Sequence, residues 1–163
     1  MKAVRSLKPE QAARLLYDWR FWARPSQVAP EGAWFTWLLL AGRGFGKSRS
    51  GAEFLREEVA ACRMQRIALV AKTPADVRDT MVEGASGLRN IYPPGQAPKY
   101  EPSKRRVTWQ NGAYALAFSS HEPDQLRGPQ FDGFWCDELG AWRYPRETWD
   151  TLMFGVRLGD RTR

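Results

Sequence analysis

The sequence is poor in cysteine and contains no long apolar run. Two cysteines among 163 residues, Cys62 and Cys136, are too few for the disulfide framework of a small secreted protein. The longest apolar stretch, Ala33–Ala41, is far shorter than the roughly 20 residues that a membrane span needs. No apolar segment follows the basic N-terminus as it would in a signal peptide. We therefore set aside the secreted, membrane-spanning and fibrous classes of protein and expect a reducing compartment.

The composition predicts a folded, basic domain. Hydrophobic residues make up 43% of the chain and aromatic residues 13%, which is ample material for a packed core. The length suits one domain. Lysine and arginine number 25 against 18 acidic residues, so the formal charge is +7. A surplus of this size favours polyanionic partners, such as nucleic acid or nucleotide phosphates.

Helical and strand-like segments alternate along the chain, which predicts an α/β fold with a mostly parallel sheet flanked by helices. The predicted helices are Pro9–Ala23, Lys47 to about Arg63, Pro74 to about Met81, and Pro145 to about Val156. The predicted buried strands are Trp34–Leu40, Ile67–Ala71 and Phe131–Cys136, and a hairpin joins Arg106–Gln110 to Ala113–Phe118 through Asn111-Gly112. Four prolines predict that Tyr92–Pro102 is irregular.

A glycine-rich loop, Gly42–Ser48, lies between a predicted strand and a predicted helix. Its three glycines, at 42, 44 and 46, allow backbone N–H groups to converge on a phosphate at the positive end of the helix. Lys47 would reach the β- and γ-phosphate oxygens, and the Ser48 hydroxyl would bind Mg²⁺. Ala41 stands where the usual spacing has its first glycine. The alternative is a glycine-rich turn with an exposed lysine.

Three further residues fit phosphate chemistry. Asp137 and Glu138 end an apolar strand, where an aspartate could hold Mg²⁺ and a glutamate could polarise an attacking water. An adjacent glutamate favours nucleotide hydrolysis over phosphoryl transfer to a small molecule. Arg127, before a Gly-Pro turn, could neutralise charge developing on the phosphate, in cis or on a neighbouring subunit. The alternatives are an ordinary acidic strand end and a surface arginine.

Together these residues resemble one family, the large subunit of tailed-bacteriophage terminases. The resemblance runs along nearly the whole chain. It is carried by Trp34–Leu40 with the glycine-rich loop, Gly51-Ala52-Glu53, Val82-Glu83-Gly84, Tyr100–Arg106, Leu126-Arg127-Gly128-Pro129 and Asp137-Glu138-Leu139. Its implied fold is a P-loop nucleotide hydrolase of the type with an additional strand and a catalytic glutamate.

The resemblance also implies roles for individual residues. The implied ligands of ATP are Gly42, Gly44, Phe45, Gly46, Lys47 and Ser48, with Ser48 and Asp137 holding Mg²⁺. Glu138 is the implied catalytic carboxylate, Arg127 an arginine finger acting in trans, and Arg43 the loop arginine, for which plain solvation is the alternative. Gln27, preceded by Arg24, resembles an adenine-recognising glutamine, and an ordinary loop glutamine is the alternative.

The implied activity is ATP hydrolysis that drives double-stranded DNA into a procapsid. The implied partners are the DNA, a small terminase subunit, and further copies of the chain in a ring on the capsid portal, all in the cytoplasm of an infected bacterium and without a membrane. Family members continue into a coupling strand and a nuclease domain, so we expect residues 1–163 to form a single, truncated ATPase domain without the nuclease.

Two other readings stay open. A helicase-like or recombination ATPase would share the same core, and a fragment that binds nucleotide or DNA without hydrolysis would keep the same loop. Lys99, Lys104, Arg105 and Arg106 could touch DNA phosphates, or they could form a solvated hairpin entrance.

Overall fold

The computed structural model describes residues 8–158, so the expected domain of residues 1–163 extends beyond the described part at both ends. Its helices are α1 (Pro9–Leu16), α2 (Trp19–Trp22), α3 (Lys47–Ala60), α4 (Pro74–Asp76) and α5 (Pro145–Gly155). Its strands are β1 (Arg66–Ala71), β2 (Lys99–Glu101), β3 (Arg106–Thr108), β4 (Tyr114–Ser119) and β5 (Gly133–Cys136). Within residues 8–158, no helix is long and apolar enough to cross a membrane.

The strands form one mixed sheet in the order β2-β3-β4-β1-β5. β1 lies at its parallel end, where Leu69 pairs with Ala117 of β4 and with Trp135 of β5. β2 pairs antiparallel with β3, and β3 pairs antiparallel with β4. The α/β class is confirmed, and the sheet is mixed: it is parallel from β4 through β1 to β5, and antiparallel across the predicted hairpin, β3–β4, and the strand β2 beside it.

β1 is buried on both faces, which places one hydrophobic layer on each side of the sheet. Alternate residues of a strand point to opposite faces. Ile67 and Leu69 pack in the layer that contains Leu55 of α3, whereas Ala68 and Val70 pack in the layer that contains Leu152 of α5. α3 and α5 therefore cover opposite faces of the sheet.

The prediction of a buried strand over Trp34–Leu40 is wrong. No strand is assigned there, and Leu38 and Leu40 are 61% and 86% exposed. Trp34 and Trp37 contact the ring of Phe54 on α3, with centroids 5.8 and 5.9 Å away. A strand needs a neighbour for its backbone hydrogen bonds. β5 is the edge strand of the sheet, but a cavity lies between it and much of this segment, and Phe35 meets Phe134 of β5 through its ring, with centroids 6.3 Å apart.

Three other predictions need correction at element boundaries. Pro9–Ala23 is two helices, because the carboxylate of Asp18 accepts a hydrogen bond from the Phe21 N–H at 3.2 Å and starts α2. The predicted helix from Pro74 continues past α4 as a π-helical turn, Val77–Val82. Tyr92–Pro102, which was expected to be irregular, contains the three-residue strand β2. β2 lies at the edge of the sheet, where prolines are tolerated. The hairpin, α3, α5 and β1 are confirmed.

Candidate functional site

The glycine-rich loop leads directly into α3. Gly44 and Gly46 have φ angles of 77° and 92°, in the left-handed region that favours glycine. Gly46 immediately precedes the first helical residue, Lys47, and the second is Ser48. The loop therefore brings a lysine and a hydroxyl to the positive end of a 14-residue helix.

Lys47 closes the loop on itself. Its Nζ donates to the carbonyl oxygens of Ala41 at 2.8 Å and Gly42 at 3.2 Å. The side chain thus folds back over the start of the loop and does not extend into solvent. Its ammonium group is held where the backbone turns.

Arg24 and Gln27 lie against the same loop. The Gln27 amide Nε2 donates to the carbonyl oxygen of Phe45 at 2.8 Å, and Arg24 Nη2 donates to the same oxygen at 2.6 Å. Gln27 ends a 3₁₀ turn, Pro25–Gln27, and is only 7% exposed. Both residues therefore contact the loop through its backbone.

Asp137 and Glu138, here called the acidic turn, follow the end of β5. The Asp137 N–H donates to the carbonyl oxygen of Val70 on β1 at 2.9 Å, which continues the parallel pairing for one residue. Glu138 has a φ of 51° and caps a 3₁₀ turn. The indole N–H of Trp142 donates to the Asp137 carbonyl at 3.0 Å and holds the turn in place.

One cavity of about 560 Å³ connects the loop with the acidic turn. Lys47 lines it from the loop side, and Asp137 and Glu138 line it from the sheet side. Its remaining wall is largely apolar and comes from the segment before the loop, β5, α3 and α5. Because one space borders all three side chains, a single ligand can contact the lysine and the carboxylates together.

The electrostatics of the acidic turn favour a cation. Burial raises the pKa of Asp137, the neighbouring carboxylate of Glu138 raises it further, and Lys47 acts in the opposite direction. Within residues 8–158, no group of three or more His, Cys, Asp or Glu side chains could hold a metal ion unaided. A hydroxyl and a carboxylate are hard oxygen ligands, and Mg²⁺ commonly completes its shell with water and phosphate oxygens. Ser48 and Asp137 supply oxygen donors of these two kinds, and of the two only Asp137 lines the cavity.

Other residues proposed from the sequence lie outside this cavity. Arg43 is exposed in the loop, and Arg127 is an exposed residue whose Nε lies 3.0 Å from the Asp124 carboxylate. Of the four basic residues proposed to touch DNA, Lys99 and Lys104 both contact the Glu101 carboxylate, at 3.7 and 3.2 Å.

The sequence did not point to two residues that support the site. Trp142 holds the acidic turn, yet a single tryptophan in a loop carries no distinguishing pattern. Gly51 lies in the interior of α3, where a Cβ atom would come within 2.5 Å of the Trp135 indole. The sequence feature that could have predicted this close approach is a glycine inside a predicted helix.

Comparisons with known proteins give a family and a fold. The family described as "Terminase large subunit, T4likevirus-type, N-terminal" matches residues 38–163. A solved structure of the large terminase from a thermophilic bacteriophage, in complex with ADP, is similar with a TM-score of 0.62 at 15% identity. The likeness covers 92% of this chain but 36% of that one, so the chain spans about a third of that protein. No curated protein matches.

Proposed function

The chain belongs to the family of N-terminal segments of terminase large subunits, and from that membership we propose that it is an ATPase that drives double-stranded DNA into a viral procapsid. The observation that carries the proposal is the cavity shared by Lys47, Asp137 and Glu138. The thermophilic phage terminase, which has a similar fold, was solved in complex with ADP, and this supports a nucleotide as the ligand. The fold is then a P-loop fold whose acidic turn faces the phosphates.

In this proposal the loop binds the triphosphate. Lys47 leaves the carbonyls of Ala41 and Gly42 for the β- and γ-phosphate oxygens, and N–H groups of Gly42–Ser48 surround the same oxygens. Ser48 and Asp137 would hold Mg²⁺, which would supply positive charge to the phosphates.

Glu138 orients the water and accepts its proton. As the water oxygen forms its bond to the γ-phosphorus, the bond from that phosphorus to the departing ADP oxygen breaks. Arg127 of a neighbouring copy supplies positive charge to the phosphoryl group in flight, and its exposed side chain supports that role. Arg43 would contact the γ-phosphate. Arg24 and Gln27 would border the bound nucleotide, because both side chains contact the loop at Phe45.

The wider assignment follows from the family. The active form would be a ring of copies on the capsid portal, loaded with DNA together with a small terminase subunit in the host cytoplasm. Lys104 and its basic neighbours would touch the DNA backbone through contacts that carry no sequence information.

Nucleotide binding and phosphate release, measured side by side, test the proposal. Lys47→Ala removes a charged donor and should weaken ATP binding by about ten- to a hundredfold. Glu138→Gln keeps the shape of the side chain but cannot accept the proton, so ATP should still bind while turnover falls by about 10²–10⁴-fold.

Lys8→Ala and Glu147→Gln are matched controls, because both side chains are exposed and lie outside the cavity. Full turnover by Glu138→Gln would reject the role of that carboxylate. A wild-type chain that binds ATP and releases no phosphate would instead be a nucleotide-binding fragment without activity of its own.

A further inference from the structure

We propose that Arg24 and Gln27 position the glycine-rich loop for phosphate, by holding the Phe45 carbonyl outward so that the next N–H group points into the loop. The proposal rests on the proposed function, since it concerns the same nucleotide site. In this proposal both side chains have a role that does not depend on contact with the adenine base. We call Arg24 and Gln27 the loop clamp.

Both acceptor positions of one carbonyl are occupied by the loop clamp. The Phe45 oxygen accepts from Gln27 Nε2 at 2.8 Å and from Arg24 Nη2 at 2.6 Å. A carbonyl oxygen has two lone pairs, so these two donors satisfy it. The Arg24 guanidinium carbon also lies 5.0 Å from the centroid of the Phe45 ring, which adds a cation–π contact. The hold on Phe45 therefore involves its backbone and its side chain.

The chain itself orients Gln27 for this contact. Its Oε1 accepts from the Arg24 N–H at 3.0 Å, and its own N–H donates to the Arg24 carbonyl at 2.8 Å. Because the amide oxygen is committed to an N–H group, the amide nitrogen faces Phe45. Pro25 begins the turn with a fixed φ. The side chain is buried, so it is held in this orientation before any ligand arrives.

Peptide planarity carries the effect to the phosphate side. In a trans peptide group the C=O and the following N–H point in opposite directions. Fixing the Phe45 carbonyl toward the loop clamp therefore turns the Gly46 N–H the other way, toward the interior of the loop. Gly46 is required twice here, because its φ is 92° and a Cβ atom would lie 2.6 Å from Gln27 Nε2. The direction of the Gly46 N–H therefore depends both on the loop clamp and on the glycine at position 46.

Positioning and adenine recognition differ in what they predict for a ligand without a base. A residue that reads adenine changes the affinity for ATP but not for inorganic tripolyphosphate. A residue that aims a loop N–H changes the affinity for every ligand that carries the phosphates. Two single variants of the full chain separate positioning from adenine recognition. Gln27→Met keeps the length and neutrality of the side chain, and Arg24→Lys keeps its charge.

We expect both variants to bind ATP, GTP and tripolyphosphate, each with Mg²⁺, about five- to tenfold more weakly than wild type, by a similar factor for all three. Gln125→Met and Arg20→Lys are matched controls, because Gln125 contacts Glu122 and Arg20 contacts Glu57, both away from the loop. Weaker ATP binding with unchanged tripolyphosphate binding would overturn the clamp in favour of base recognition.

Amide hydrogen exchange in the ligand-free chain gives a second readout. Gln27→Met should speed exchange at residues 45–48 and leave β1 unchanged, whereas general destabilisation would speed both. Unchanged exchange in the loop would overturn the proposal. Failure of wild type to bind ATP would refute the proposed function separately, since the exchange measurement needs no nucleotide.

Discussion

At the scale of single residues, Glu138 has a backbone conformation that does not suit its side chain. Its φ of 51° lies in the left-handed region, which costs a residue with a Cβ atom about 1–2 kcal/mol. Strained residues of this kind persist where the surrounding structure holds them, often at functional sites. The strain follows from the turn that aims this carboxylate along the cavity wall.

Replacing Glu138 by two small residues separates the strain from the chemistry. Both Glu138→Gly and Glu138→Ala lose the carboxylate, so neither should hydrolyse ATP above background. Glycine adopts the left-handed region freely, and we expect Glu138→Gly to have a free energy of unfolding about 1 kcal/mol higher than Glu138→Ala. Urea unfolding of the two variants measures this difference. Equal stability would show that the turn relaxes when the side chain is lost.

At the scale of elements, the contact between α3 and β5 decides where the loop meets the acidic turn. Gly51 allows the helix to approach the Trp135 indole more closely than any side chain would permit. Glu53, fully buried on the same helix, contacts Arg49 at 2.7 Å and Arg56 at 3.0 Å, and burial raises its pKa. One close approach, at Gly51, therefore fixes α3 against the sheet, whereas the three members of the ion cluster all lie on α3 and support the helix itself.

Gly51→Ala should push α3 away from β5. A Cβ atom 2.5 Å from the indole is an overlap with a buried ring, and overpacking of this kind costs about 1–3 kcal/mol. We expect a lower free energy of unfolding together with weaker ATP binding, because the loop moves with its helix. Ala60→Ser is the control, because it adds an atom to the same helix at an exposed position outside the cavity. A wild-type affinity in Gly51→Ala would argue that the loop position does not depend on this contact.

The sequence predicts those elements whose neighbours lie close along the chain. The hairpin around Asn111-Gly112 and the helix start at Pro74 are local, and both are confirmed. Trp34–Leu40 has the composition of a buried strand, but whether a strand forms depends on backbone pairing with a neighbouring strand, a tertiary contact that no local pattern encodes. The motif residues Lys47, Asp137 and Glu138 were identified from spacing, and the structure brings them to one cavity. Their supports Trp142 and Gly51 depend on tertiary contacts.

At the scale of the whole molecule, Arg127 lies on the outer surface. Its side chain is 69% exposed and its contact with Asp124 is a surface ion pair, which holds it only weakly. An arginine in this position can leave its partner at little cost when another copy approaches. The proposed ring would place it at a neighbour's phosphates.

Mixing two inactive variants tests whether Arg127 acts between copies. Arg127→Ala keeps its own carboxylate, and Glu138→Gln keeps its own arginine. If the finger acts in trans, a mixed interface can combine an intact carboxylate from one copy with an intact arginine from the other, so a mixture should recover part of the phosphate release that each variant lacks. Arg146→Ala, another exposed arginine with an acidic neighbour, is the control and should be active alone. Absence of any recovery in assembled mixtures would count against action in trans.

The contacts of Lys47 with Ala41 and Gly42 have a consequence for repeated turnover. In the proposed cycle the ammonium group would return to these two carbonyl oxygens when product phosphate departs, so its charge would have partners in the empty loop. After the product leaves, the loop backbone would keep the conformation that binds the next nucleotide, because Lys47 holds its first residues. If the chain works as the proposed motor, this resting position would let the loop bind the next nucleotide without a refolding step between strokes.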